Sequence, residues 1–136
     1  METFLKFLPL IIVAVLLFLV KEGYSIFRYV KQAKLHEAAR SGRMDKVQQY
    51  LQAGYAANAI DPRFGLTPLH VAVRNGQVEI AKLLLQNGAG LDDPSAQGIT
   101  ARQWADQYLS AEAREELQRL SAELEENQSR LSLHAR

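Results

Sequence analysis

The sequence predicts an all-α protein in which short helices stack in repeated pairs behind a single transmembrane helix. Three observations lead to this class. Apolar residues recur at helical spacing through the middle of the chain, the pattern returns after 34 and again after 33 positions, and an apolar run lies near the N-terminus. The paired helices are only about two turns long, and isolated helices become even marginally stable only at ~12–15 residues. Each pair therefore depends on packing against its neighbours.

The clearest helix pair begins at Thr67. This residue can cap a helix whose first turn holds Pro68, where a missing N–H costs nothing. Asn75-Gly76 is a helix stop, and a second helix follows with Glu79 in its first turn and a stop at Asn87-Gly88. The unit is therefore helix, tight turn, helix and an extended segment.

Related sequence lies on both sides of this unit. A shift of 34 positions aligns Leu35-His36 with Leu69-His70, and a shift of 33 positions aligns Gly98 with Gly65. The run Thr67-Pro68-Leu69-His70-Val71-Ala72, at this period, closely resembles the ankyrin repeat. The resemblance implies an ankyrin-repeat solenoid of helix-turn-helix units with short hairpin fingers over residues 33–120. It divides there into repeats at about 33–60, 61–93 and 94–120.

The flanking repeats depart from the family pattern. Ala33-Lys34 stands in place of Thr-Pro, and Arg102-Gln103 stands in place of Leu-His. Such departures are expected of end repeats, whose outer faces meet water. One extra residue in the segment 61–65 accounts for the spacing of 34, and we interpret it as a lengthened first finger.

The C-terminal part of the chain should close the stack. Trp104 and Ala105 are expected to pack inward, with Trp104 replacing the smaller Val71 at the same repeat position. Ser110 can cap a last helix with leucines at helical spacing. We interpret 121–136 as the end of this helix followed by a disordered tail from Asn127.

Residues 4–22 are predicted to be a transmembrane anchor. Every residue from Phe4 to Val20 except Lys6 and Pro9 is apolar, and as a helix this run spans roughly 25 Å, slightly short of a ~30 Å hydrocarbon core. The alternative is a cleaved secretory signal. It is less favoured because the run ends in charged residues without a small-x-small cleavage site.

Basic residues indicate the orientation of this anchor. Lys6 precedes the apolar run, whereas five basic residues follow it within about 20 positions: Lys21, Arg28, Lys31, Lys34 and Arg40. This bias predicts a cytoplasmic ankyrin domain, although some of these charges belong to the first repeat, and a short apolar start also resembles an anchor of the opposite orientation. Residues 23–32 are predicted to be an amphipathic juxtamembrane segment that lies on anionic headgroups or packs on the first repeat.

Composition and motifs disfavour several classes of function. The net charge of +1 argues against bulk nucleic-acid binding, and the absence of cysteine excludes disulfides and thiolate chemistry. The sequence shows no phosphate-binding glycine loop, metal cluster or nucleophile with a base at recognisable spacing, and Asp92-Asp93 before Pro94 is a turn signature. We expect no enzyme activity, cofactor, metal or small-molecule substrate.

The family resemblance implies a structural role for two histidines and a binding role for the repeats. His36 and His70 occupy the position where ankyrin repeats use the ring to hydrogen-bond between repeats, so we interpret both as structural. Ankyrin arrays bind proteins through finger tips and the concave face of the inner helices. Transferred by position, the candidate protein-binding residues are Arg40, Ser41, Arg63, Phe64, Leu66, Arg74, Asn75, Gln97, Ile99 and Tyr108. Phe64 has two interpretations, a recognition residue or a side chain packed on the neighbouring finger.

The leading hypothesis is a membrane-anchored protein that contacts lipid through its N-terminal helix and holds a protein partner at the membrane. One alternative is an inhibitor or immunity protein that occludes a toxin or enzyme. Another is an accessory subunit of a membrane complex, bound through its transmembrane helix.

Overall fold

The computed structural model describes residues 1–135, in which six helices account for most of the chain. They are α1 (Glu2–Arg40), α2 (Met44–Gln52), α3 (Pro68–Arg74), α4 (Val78–Gln86), α5 (Ala101–Tyr108) and α6 (Ala111–His134). The described residues form no strand longer than an isolated bridge. Two antiparallel bridges, Asp61 with Leu66 and Pro94 with Thr100, close the two fingers. The all-α class is confirmed.

The chain divides into two compact units, one comprising Met1–Lys31 and the other beginning at Gln32. In the first unit the apolar side chains are exposed to the surroundings, among them Phe4, Leu10 and Phe18. Helix α1 is long and apolar enough to be a candidate membrane-spanning helix. Signal sequences near an N-terminus meet the same criteria of length and apolarity.

Capping residues place the helix starts where the sequence predicts them. The Thr67 side chain accepts a hydrogen bond from the His70 N–H at 3.4 Å, and Pro68 occupies the first helical position of α3. The Ser110 hydroxyl accepts from the Ala113 N–H at 3.3 Å at the start of α6. These bonds satisfy N–H groups that the first turn of a helix leaves unpaired.

The second unit has one apolar core that runs through all three helix pairs. Helix α3 packs on α4 and α5, and α4 packs in turn on α2 and α6. Leu35 and Leu69, one repeat apart, are both completely buried, and Leu117 brings α6 into the same core. Burial of such a side chain contributes roughly 1.5–3 kcal/mol to stability. Ala105 packs inward as expected, whereas Trp104 is only half-buried.

The two fingers stack directly on each other. The Ala96 N–H donates to the Gly65 carbonyl oxygen at 2.7 Å. Gly65 has φ +68°, and a Cβ atom at this position would lie 2.7 Å from the Ala96 Cβ. Only glycine fits both the left-handed backbone and this close approach.

The predicted disorder from Asn127 differs from the structure, in which α6 continues to His134. No proline or glycine interrupts residues 111–135. Arg130 also pairs with Glu126 one turn earlier at 2.6 Å, the kind of spacing that stabilises an exposed helix. Composition indicated a polar tail but did not account for this unbroken helical pattern.

Candidate functional site

Two buried histidines join successive repeats. The His36 Nε2 atom lies 2.8 Å from the Leu66 carbonyl oxygen, and the His70 Nε2 atom lies 2.8 Å from the Ile99 carbonyl oxygen. In each case an inner helix is bound to the finger of the following repeat, because the ring N–H donates to a carbonyl oxygen. The structural role implied by the family resemblance is confirmed for both side chains.

The second nitrogen of each ring has a different partner. The His70 Nδ1 atom lies 2.7 Å from the Thr67 hydroxyl oxygen, which can donate its proton to a neutral ring. Burial lowers the pKa of His70, which favours this neutral form. The His36 Nδ1 atom instead lies 2.8 Å from the Gln32 carbonyl oxygen.

Beside His36 lies a groove between the first and second repeats, which we call the inner groove. It has a volume of about 340 Å³. Three of its lining residues, His36, Asp61 and Val71, are buried, and the others are more exposed. The full lining is His36, Arg40, Asp61, Phe64, Leu66, Val71, Arg74 and Asn75.

The carboxylate in the groove is already bound within the first finger. Asp61 is 2% exposed and accepts hydrogen bonds from the Arg63 backbone N–H at 2.9 Å and from the Arg63 guanidinium at 3.2 and 2.8 Å. The side-chain hydrogen bond from Arg63 lowers the pKa of Asp61, so this group stays charged and neutralised at physiological pH.

Phe64 presents an aromatic ring at the edge of the groove. It is 52% exposed, and the guanidinium carbons of Arg40 and Arg63 lie 5.5 and 5.4 Å from its centroid. These are cation–π distances. The ring therefore carries two basic groups while leaving about half of its surface open.

The junction between the second and third repeats is filled where the first is open. Trp104, one repeat after Val71, places its ring 5.3 Å from the His70 ring and 5.9 Å from the Tyr108 ring, both edge to face. Arg74 lies over the same indole at 5.9 Å. Aromatic packing thus covers the inner face at this second junction.

The structure brings half of the predicted binding residues together. The inner groove is lined by Arg40, Phe64, Leu66, Arg74 and Asn75.

The other five candidates lie outside the groove lining. Ser41 donates its hydroxyl to the Glu37 carbonyl oxygen at 2.7 Å and belongs to a smaller cavity. Gln97 and Ile99 are exposed on the second finger, and Tyr108 packs on Trp104. The remaining one, Arg63, binds Asp61. Whether any of these ten residues binds a partner remains a prediction.

Sequence reasoning missed the buried part of the groove: His36 as a lining residue, Asp61 and Val71. The signal for Val71 was present in the repeat alignment, because a small residue stands where the next repeat has tryptophan. Asp61 gave no comparable signal, since an aspartate before proline is usually a turn residue.

The paired aspartates of the second finger serve the backbone and a nearby arginine. Asp93 accepts a hydrogen bond from the Gly90 N–H at 2.8 Å, as expected for a turn. Asp92 binds the Arg102 guanidinium at 2.7 and 2.8 Å, and this side-chain hydrogen bond lowers the pKa of Asp92.

Comparisons with known proteins agree with this architecture. The human ARF GTPase-activating protein GIT1 is 36% identical over 91 residues, which are 67% of this chain and 12% of that protein. The mouse 2-5A-dependent ribonuclease is 46% identical over 57 residues, 42% of this chain and 8% of that protein. The bovine SMC5-SMC6 complex localization factor protein 1 is 48% identical over 54 residues, 40% of this chain and 5% of that protein. This chain thus spans only a small part of each relative.

A family model described as ankyrin repeats in three copies matches residues 35–127. That range is more than half of the chain, and it includes the helix pairs, both fingers and the two bridging histidines. The chain belongs to the ankyrin-repeat family.

Proposed function

We propose that this chain is a membrane-anchored scaffold that binds a protein partner in the inner groove and holds it at the membrane. Ankyrin repeats indicate protein–protein interaction. The observation that carries the proposal is the open groove of about 340 Å³ edged by Arg40, Phe64 and Arg74. Arginine and aromatic residues are the types enriched at the energetic centres of protein interfaces.

The geometry of these side chains supports the groove as the binding site. Arg40 and Arg63 lie within cation–π distance of Phe64, and Arg74 lies within that distance of Trp104. Binding usually costs about 0.5–1.5 kcal/mol in conformational entropy for each flexible side chain that becomes immobilised. This cost is smaller for side chains that are already partly ordered in the free protein. The groove is therefore partly organised before a partner arrives.

The exposed apolar unit at the N-terminus supports the proposed anchor. A helix of this length and composition could cross a bilayer, and its apolar side chains are exposed. An anchored receptor meets membrane-associated partners at a high effective concentration, so that modest affinity is sufficient. The basic residues after the apolar run favour a cytoplasmic ankyrin domain. We propose a binding role rather than catalysis.

Co-purification tests partner binding in the groove. The full chain with a C-terminal tag is purified from membranes in a mild detergent, and captured proteins are identified for wild type, Val71→Trp and Phe64→Ala/Arg74→Ala. Val71→Trp introduces the residue that covers the next junction, so we expect it to exclude the partner. Gln52→Trp, at an exposed position of helix α2 outside the groove lining, is the matched control.

Each outcome has a defined meaning. Loss of one protein from both groove variants, with retention by Gln52→Trp, supports the scaffold. A captured enzyme or toxin that is inactive in the complex would replace the scaffold with an inhibitor. A partner that both groove variants retain contradicts groove binding. Replacement of residues 10–20 by an unrelated apolar helix then tests the accessory-subunit hypothesis, which predicts loss of that partner.

Membrane attachment requires its own experiment. Val13→Lys/Leu16→Lys should release the chain from alkaline-washed membranes, because each central lysine costs about 2.5–3.5 kcal/mol in an inserted helix. For orientation, Ser132→Cys supplies a single thiol in a cysteine-free chain. Protection of that thiol from an impermeant maleimide in intact cells is the result expected of a cytoplasmic domain, and labelling in intact cells would contradict it.

A further inference from the structure

We infer that the segment bound in the inner groove is extended and acidic, with carboxylates held by Arg40 and Arg74 and an apolar side chain against Phe64. This inference rests on the proposed function, since it requires that the groove binds a protein. It adds the chemistry of the partner.

Two guanidinium groups of the groove lack strong partners. The Arg40 guanidinium lies 3.6 Å from the Glu37 carboxylate, and the two side chains are 46% and 64% exposed, so this ion pair contributes little. Among the described residues no carboxylate forms an ion pair with Arg74. Asp61, the one carboxylate in the lining, is bound by Arg63. The groove therefore presents net positive charge to a ligand.

This positive charge contrasts with the rest of the repeat unit. Residues 32–136 contain twelve basic and thirteen acidic residues, a net charge of −1. Helix α6 alone contains six glutamates and three arginines. An acidic segment is attracted to the groove and repelled by α6, which directs it to one place on the domain. A basic segment would experience the reverse.

The arginine geometry suits carboxylates. The Arg40 guanidinium lies over Phe64 at 5.5 Å, and the Arg74 guanidinium lies over Trp104 at 5.9 Å. A guanidinium that uses its face on a ring keeps N–H donors along its edge, and those donors match the two oxygens of a carboxylate. Asp61 and Arg63 already show such paired bonds within this protein.

The size of the groove limits the shape of the ligand. A volume of about 340 Å³ is near the lower end of the ~300–1,000 Å³ range of ligand pockets and cannot enclose a folded element. Val71, Leu66 and Phe64 provide an apolar surface beside the two arginines. The matching ligand is a short extended stretch in which acidic residues flank one large apolar side chain.

Peptide selection tests this inference. The full chain in a mild nonionic detergent is used to select from a display library of short random peptides, in parallel with Arg40→Glu/Arg74→Glu. We expect wild type to recover peptides rich in Asp and Glu around an apolar residue. The charge-reversed variant should recover peptides rich in Lys and Arg instead.

Affinities of the recovered peptides then separate charge from shape. Fluorescence polarisation should show binding weakened at least about tenfold by Arg40→Gln/Arg74→Gln, because charge-assisted hydrogen bonds are lost. The matched control Arg119→Gln/Arg130→Gln removes the same charge from α6 and should change the affinity less than about twofold. Higher salt should weaken wild-type binding more than binding to Arg40→Gln/Arg74→Gln. Melting curves establish that each variant is folded.

Four results would overturn the inference. One is recovery of neutral or basic peptides whose binding persists in Arg40→Gln/Arg74→Gln but is lost in Val71→Trp. That result would contradict the acidic ligand and still support protein binding in the groove. Another is capture of a partner from membranes by the groove while no peptide is selected. A third is self-association removed by Val71→Trp, which would make a second copy the occupant. Finally, peptide binding that neither Val71→Trp nor Arg40→Gln/Arg74→Gln changes would contradict the groove as the binding site.

Discussion

The two junctions between repeats share the same histidine-to-carbonyl hydrogen bond and differ in the side chain that packs beside it. Both use a histidine Nε2 at 2.8 Å from a finger carbonyl oxygen, Leu66 at the first junction and Ile99 at the second. The first junction then carries Val71 and is open. The second carries Trp104, which packs on His70 and Tyr108. One residue type at one repeat position therefore separates an open groove from a covered face.

The two fingers also share a backbone shape and differ in the side chains that hold it. In the first finger the buried carboxylate of Asp61 accepts the Arg63 backbone N–H and binds the arginine side chain. In the second, the Ser95 hydroxyl accepts the Gln97 N–H at 3.3 Å and the Ile99 N–H at 3.2 Å. A charged pair organises the first loop and a neutral hydroxyl organises the second. The repeat backbone tolerates both because each side chain accepts the N–H two residues further along its finger.

The largest expected effect comes from removing a histidine connection. His70→Leu removes the two side-chain hydrogen bonds of a buried ring, to the Ile99 carbonyl oxygen and the Thr67 hydroxyl, and each such bond contributes about 0.5–1.5 kcal/mol. We expect the free energy of unfolding in urea to fall by about 2–3 kcal/mol. His134→Leu, on the exposed end of α6, should change it by less than about 0.5 kcal/mol. Equal effects of the two substitutions would contradict the bridging role.

Opening the second junction should lower the free energy of unfolding by less than His70→Leu does. Trp104→Val removes a half-buried ring from His70 and Tyr108, for which we expect a loss of about 1–2 kcal/mol, below the ~3–5 kcal/mol typical of a fully buried aromatic. Urea unfolding measures the loss. Partner capture by the inner groove should persist but weaken in this variant, because Arg74 loses the indole ring over which it lies. Complete loss of capture in a folded Trp104→Val protein would show that the two junctions act as one surface.

The fingers offer a test of buried charge. Arg63→Gln alone leaves Asp61 buried without its guanidinium partner and should cost about 1–2 kcal/mol, reduced by the partial exposure of Arg63. Asp61→Ser/Arg63→Gln converts the first finger to the chemistry of the second and should lie within about 1 kcal/mol of wild type. A double variant less stable than Arg63→Gln would refute this equivalence.

The smallest effect is pH dependence. Burial lowers the pKa of His70 below its ordinary value of 6.5, so the folded state binds fewer protons than the unfolded state, and stability should decrease as pH falls below about 6.5. The slope is at most about 1.4 kcal/mol per pH unit. Asp61, whose pKa is lowered from 3.8, loses its contribution only in stronger acid. Unfolding from pH 7.5 to 5.5 should show a shallower slope for His70→Gln, and an unchanged slope would exclude His70 as the cause.

Short-range chemistry explains which features were predictable. Thr67, Pro68 and Ser110 act within a few residues of the helix starts they define. The bridging histidines followed from the repeat period and the family resemblance. The prediction that α6 ends in a disordered tail from Asn127 was wrong, because polar composition was given more weight than the absence of helix-breaking residues.

The sequence alone determined the helical class, the repeat period and the caps, since each depends on neighbours along the chain or on a fixed spacing. The binding candidates came from the family resemblance and stay predictions. Only the tertiary structure decided that Arg40, Phe64 and Arg74 meet at one groove. They come from an inner helix, a finger and the next inner helix. Their convergence depends on how one repeat packs on the next, and on Val71 being too small to cover the space that Trp104 covers at the following junction.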